Sequence, residues 1–314
     1  MTRILLAVCI MTALTVFSKE ASAIDKGLHP KITAHAIAQY NTRCAQGADG
    51  LAPIDTKAGD ILVNFSERED DPTKIRYANW HFYNANYDGK DKKSGVSHFL
   101  HRIYKQRIEE FNDALKRKKN VMVYEAGGRI LHYIQDMAVP AHVAPNYHVK
   151  IKGLRNKPDA VDSYLDPWQI DYSLTPERCE ILRGETAALV KDHGKTAEGI
   201  KSALEAMLRQ LADETRAEMK KEIPATSPDM QGKTWATVFW NIYDPALKAT
   251  YPKHIKDGFA PYAGTDDEKR FNLSNGICKE EGNNSVCRQF VEGRYRAAVD
   301  ASIRMIMFTE SVSR

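Results

Sequence analysis

Apolar residues in this chain recur at three- and four-residue intervals far more often than they alternate. The helical period runs through 30–40, 97–117, 121–137, 186–222 and 287–311, the fourth being long enough to contain a break. In the third, Val121, Tyr124, Gly128, Leu131 and Gln135 carry the period. Gly127 and Gly128 inside it each cost about 1 kcal/mol of helix propensity relative to alanine. They make sense if another helix passes very close there. Pro140 and Pro145 end regular structure after Met137. The stretches 41–74, 83–95, 149–178 and 223–284 are rich in Gly, Pro, Asp and Asn and read as loops. The pattern predicts an all-α fold, a multi-helix single domain with long loops. Residues 223–284, with Trp235, Phe239, Trp240 and Tyr243, read as an irregular insertion before the last helix.

The first residues follow a different pattern. Met1-Thr2-Arg3 precede the apolar run 4–17, and a polar stretch then ends in Ala21-Ser22-Ala23. The run is shorter than the ~20 residues a membrane span needs. A basic start, an apolar core and Ala-x-Ala predict a signal peptide, 1–23, cleaved after Ala23. Cys9 lies inside the apolar run behind Val8, which argues against a lipoprotein anchor. The mature domain would be 24–314, secreted or periplasmic, without a transmembrane segment. It keeps Cys44, Cys179, Cys278 and Cys287, an even set that favours two disulfides in an exported chain. Cys278–Cys287 is the natural local pair, leaving Cys44–Cys179 as a long-range staple. A cysteine-rich zinc site is the competing reading, but no Cys-x-x-Cys spacing exists. The formal net charge of +4 neither demands nor excludes a polyanionic partner.

The sharpest chemical signal is the stretch from Leu131 to His142. His132 and Asp136 are four apart on a helix and therefore share a face. Imidazole nitrogen and carboxylate oxygen both suit zinc at about 2.0–2.2 Å. His142 follows the proline break, where the chain can turn a third ligand inward. The same spacing also serves a buried His–Asp hydrogen bond, so it does not decide alone. His81 sits among aromatics in Asn79-Trp80-His81-Phe82-Tyr83-Asn84. Ser66-Glu67-Arg68-Glu69-Asp70-Asp71-Pro72 is an acidic loop that taken alone reads as a solvated turn. His29 precedes Pro30 at a helix start.

Together these pieces resemble the family of bacterial zinc-dependent phospholipases C and fungal single-strand nucleases. His132, Asp136 and His142 match the spacing of its central motif. His81-Phe82-Tyr83-Asn84 matches its His-Phe-Tyr-Asp-Pro segment, with Asn in place of Asp. The resemblance spans residues 24–164, with a weaker match of the last helix. It implies a mostly helical protein holding three zinc ions in a cleft. One zinc would take Asp70, His81, His132 and Asp136. A second would take the amine and carbonyl of Ile24, His29, and Asp136 as a bridge. His29 is the sixth residue counted from Ile24, where the nucleases carry a histidine, although Ile24 stands where the family has Trp. A third would take His142 with His148 and Asp162, Asp159 being the rival acid. Asp70 is chosen over Asp71 for its Glu-Asp context.

The implied reaction is phosphate ester hydrolysis by hydroxide held between zincs, with Asp70 orienting or deprotonating the attacking water. Gln135 and Val139-Pro140-Ala141-His142-Val143 read more like the phospholipases. The expectation is therefore a phospholipase C releasing diacylglycerol and a phosphorylated head group. Its partner would be phospholipid at a membrane or micelle surface, with no stable nucleic acid partner. Two pocket aromatics of choline-specific members are missing, with Asp71 and Ala78 in their places. A single-strand-specific nuclease or nucleotidase of the same family remains open, as does a noncatalytic secreted helical binding protein. There is no Gly-x-Ser-x-Gly elbow and no Gly-rich phosphate loop, so serine-based and P-loop chemistry lack support.

Overall fold

A computed structural model describes residues 27–45, 51–70, 83, 96–143, 170–224, 231–236 and 286–313. They are mostly helical. The order is α1 (Leu28–Gln39), α2 (Thr56–Glu67), α3 (Val96–Lys116), α4 (Asn120–Asp136), the single turn α5 (Pro140–Val143), α6 (Pro176–His193), α7 (Ala197–Lys220) and α8 (Val286–Val312). A π-helical turn, Tyr40–Cys44, prolongs α1, and a 3-10 turn, Arg68–Asp70, prolongs α2. Among the described residues there is no strand, only an isolated antiparallel bridge between Glu222 and Thr234. The all-α expectation holds.

Local chemistry sets several boundaries. The side chains of Asp55, Thr175 and Thr196 cap α2, α6 and α7 by accepting from Ala58 N, Arg178 N and Gly199 N. Pro176 opens α6, where a missing N–H costs nothing. The break inside 186–222 falls at Gly194, whose φ of +74° favours glycine. Thus α6 begins earlier than the hydrophobic period suggests, within a stretch that reads as loop.

Helix α2 corrects the sequence expectation, which placed 41–74 in a loop. Glycine, aspartate and asparagine hide a helical stripe of buried Ala58, Gly59, Leu62, Phe65 and Ser66. Tertiary burial of that stripe overrides the weak propensity of its polar residues. The acidic stretch after it is not a solvated turn either, since Glu69 and Asp70 are both buried.

Helix α4 lies at the centre, packed against α2, α3 and α8, with every residue from Ile130 to Asp136 buried. The close approach expected at Gly127-Gly128 is made by α2. A Cβ on Gly128 would stand 2.7 Å from the Leu62 carbonyl oxygen and 2.8 Å from Phe65 Cβ. Cys44 and Cys179 form the long-range disulfide, with Cα atoms 5.7 Å apart. Cys287 is likewise disulfide-bonded, while Cys278, its expected partner, lies outside the described residues. Most of 223–284 and all of the expected signal segment also lie outside them. Trp235 is buried and stacks on Phe290 at 4.5 Å, so it belongs to the core. No helix among the described residues is long and apolar enough to cross a membrane.

Candidate metal centre

Packing of α1 and α2 against α4 brings His29, Asp70, His132, Asp136 and His142 together at the C-terminal end of α4. His29 comes from the first turn of α1, and Asp70 from the 3-10 turn after α2. His132 and Asp136 occupy successive turns of α4, and His142 sits on α5 just past Pro140.

Asp136 is the hub. Its Oδ1 lies 3.3 Å from His29 Nε2 and 3.7 Å from His142 Nε2, while its Oδ2 lies 3.4 Å from His132 Nε2. Asp70 spans the same gap, with Oδ1 3.7 Å from His132 Nε2 and Oδ2 3.9 Å from His29 Nε2. A charge-assisted hydrogen bond would draw such atoms to about 2.7–2.9 Å. Ligands at about 2.0–2.1 Å around a tetrahedral ion stand about 3.3–3.4 Å apart. The His29–Asp136 and His132–Asp136 separations of 3.3 and 3.4 Å match that spacing, while the 3.7–3.9 Å separations to Asp70 and His142 are longer. His29, His132 and Asp136 offer atoms all within 4.8 Å of one another, a group that could hold one metal ion.

The tautomers point the same way. Gln135 Nε2 donates to Thr33 Oγ1 at 2.9 Å and to Ser302 Oγ at 3.1 Å, so its Oε1 is an acceptor. His29 Nδ1, 2.7 Å from that oxygen, must therefore donate. His132 Nδ1 likewise donates to the Ser66 carbonyl at 2.8 Å. In the neutral rings, both Nε2 lone pairs then face carboxylate oxygens, which is repulsive unless a cation or proton lies between. His29 Nε2 is fully enclosed and makes no hydrogen bond of acceptable geometry.

Burial pulls the His29 pKa down, but the Asp136 and Asp70 carboxylates outweigh it and leave the value raised. With the imidazoles deprotonated, as metal ligation requires, the two carboxylates would leave the buried cluster two negative charges in excess, which a divalent cation would balance. Glu69 does not add to that excess. It accepts from Tyr133 Oη at 2.7 Å and pairs with Arg107 Nη2 at 2.9 Å. Those bonds hold the turn carrying Asp70 against α4 and α3.

Of the remaining expected ligands, Ile24, His81, His148 and Asp162, and the rival Asp159, lie outside the described residues. Tyr83, two positions after His81, donates its backbone N–H to the His142 carbonyl at 2.8 Å. The His142 imidazole, expected at a separate third ion, faces the same Asp136 oxygen as His29.

Gln135, the Ser66 carbonyl and Glu69 are supporting groups that sequence reasoning did not assign. Gln135 could have been found, because its spacing of three from His132 puts it on the ligand face of α4. A backbone carbonyl leaves no sequence signal. No family model, curated protein or solved structure matches this chain.

Proposed function

We propose that this chain is an exported zinc-dependent hydrolase of phosphate esters, acting as a phospholipase C. One observation carries the metal reading: imidazole nitrogens of His29, His132 and His142 ring the carboxylates of Asp70 and Asp136 at 3.3–3.9 Å inside a closed, anionic pocket. Nitrogen and oxygen donors at this spacing suit zinc. The resemblance supports three ions, to which Ile24, His81, His148 and Asp162 would contribute the remaining ligands.

Zinc bound there would supply a water acidic enough to ionise near neutral pH and positive charge for the phosphoryl oxygens of an ester. The chain's own groups do the rest. Asp136 presents one oxygen to each side, so it can serve two ions. Gln135 and the Ser66 carbonyl hold the Nδ1 protons of His29 and His132 and so turn Nε2 of each ring toward the carboxylates, where a ligand atom would stand. Asp70, buried like the other four, is the carboxylate that would orient the attacking water or take its proton. A disulfide linking Cys44 and Cys179 supports export, since such bonds persist in oxidising compartments. The phospholipid assignment rests on the central-motif wording.

Purified protein, sequenced from its N-terminus, should contain stoichiometric zinc and hydrolyse lecithin in preference to single-stranded DNA. His132→Ala should lower turnover by at least ~10³-fold, consistent with loss of a group needed for charge stabilisation. Zinc-loaded protein that attacks DNA alone would shift the assignment to the nucleases. Full activity after exhaustive chelation would end the metal reading.

A further inference from the structure

The turn between α3 and α4 carries more charge than its geometry asks for. Lys118 N–H donates to the Leu115 carbonyl and Lys119 N–H to the Ala114 carbonyl, both at 3.0 Å, which closes the end of α3. A closure of this kind puts one residue in the left-handed region, where glycine is the usual choice. Here that residue is Lys118, with a φ of +51°. Lys116, Arg117, Lys118 and Lys119 are consecutive and all exposed. Just beyond them, in the first turn of α4, Val121 and Met122 are 45% and 42% exposed. Only one other large apolar side chain among the described residues, Ile181 on α6, is as open.

Neighbouring acids do not neutralise this tip. Asp113 and Glu125 lie a turn inward along α3 and α4, and Asp113 approaches Arg117 at 3.8 Å. Asp55 is occupied in capping α2, Glu310 accepts from Tyr124 Oη at 2.8 Å, and Glu198 pairs with Lys201 at 2.8 Å. Lys116, Lys118 and Lys119 form no ion pair among the described residues. Helix α4 also starts without a side-chain cap, so the positive end of its dipole adds to the same surface. A run of basic residues alone would suit any polyanion, and the apolar pair selects among them. Aliphatic side chains cannot stack on bases, but they can enter the acyl boundary of a bilayer while lysines meet its head groups. A second copy of the chain would bring like charges together.

We propose that the α3–α4 tip docks this protein on an anionic lipid bilayer, with Val121 and Met122 entering the interface and residues 116–119 lying on the head groups. Each basic residue contributes about fivefold in affinity and each apolar side chain about three- to tenfold, which together give reversible peripheral binding rather than a permanent anchor. Val121 precedes Asp136 by fifteen positions, about 22 Å along a helix axis, so the tip and the metal centre lie at opposite ends of α4. The tip is therefore a tether, and it stands whether or not the metal centre hydrolyses phospholipid.

Co-sedimentation of the zinc-loaded protein with vesicles of neutral digalactosyldiacylglycerol, with or without anionic sulfoquinovosyldiacylglycerol, tests the surface in lipids that contain no phosphate ester to hydrolyse. Binding should require the anionic lipid and weaken as salt is raised. Val121→Ser/Met122→Ser should weaken it by about tenfold or more, and so should Lys118→Gln/Lys119→Gln. Lys118→Gly should weaken it by about fivefold while the melting temperature holds or rises, because glycine accepts that φ without strain. The charge-matched pair Lys220→Gln/Lys221→Gln lies at the end of α7 nearer the metal centre, where Thr215 donates to the Met137 carbonyl. It should change binding by less than about twofold. Absence of binding to anionic vesicles overturns the proposal, including the case in which the same lysines retain single-stranded DNA. Equal effects of the tip and control pairs also overturn it, since attraction would then follow net charge alone.

Discussion

Gln135 decides which nitrogen of His29 faces the carboxylates, because its own amide is already committed to Thr33 and Ser302. Replacing it with leucine removes the Nδ1 acceptor without touching a ligand. Gln135→Leu should retain helical content and lose about 10–100-fold in zinc affinity, the usual effect of removing such a support. Competition with a chromophoric chelator measures it, and an unchanged affinity would deny Gln135 that orienting role. Glu69 and Asp70 make the complementary point. Two adjacent acids have different duties because Arg107 and Tyr133 occupy the first, while the second faces imidazoles. Composition treats them alike, and only their partners distinguish them.

At the scale of elements, the crossing of α2 over α4 aims Asp70 and the Ser66 carbonyl. The neighbouring glycines at that crossing offer an internal control. Gly128→Ala forces a Cβ against the Leu62 carbonyl at 2.7 Å and must push α2 outward. Overpacking of this kind typically costs about 1–3 kcal/mol, and here it should also lower zinc affinity. Gly127→Ala meets the flexible tip of Leu62 at 3.4 Å and the Phe111 ring at an ordinary 3.9 Å. It should be neutral or stabilising by up to about 1 kcal/mol. Paired melting curves and zinc titrations check both. Equal effects of the two substitutions would mean that the crossing does not set the site.

At the scale of the molecule, the Cys44–Cys179 bond ties the end of the α1 segment to α6 across 135 residues of sequence. Because cross-linking a long loop restricts the unfolded chain most, the Cys44→Ser/Cys179→Ser pair should lose about 2–4 kcal/mol in stability. Below its lowered melting temperature it should still bind zinc, because His29 sits at the opposite end of α1. Denaturant titration gives the first quantity and metal analysis the second.

The helical class was legible because burial of one face imposes a local period, and that period is visible wherever polar residues do not mask it. Helix α2 escaped because its buried stripe includes glycine, alanine and serine, residues whose burial only packing reveals. Gly127-Gly128 announced a close contact, and the spacing of His132 and Asp136 placed two candidate ligands on one face. The sequence could not show that His29, 106 positions before its partner Gln135, would reach the same carboxylate. Nor could it show that His142 would turn toward the same oxygen. Periodicity is a property of neighbours along the chain, whereas the meeting of three imidazoles and two carboxylates depends on how helices cross. Only the tertiary structure decided that.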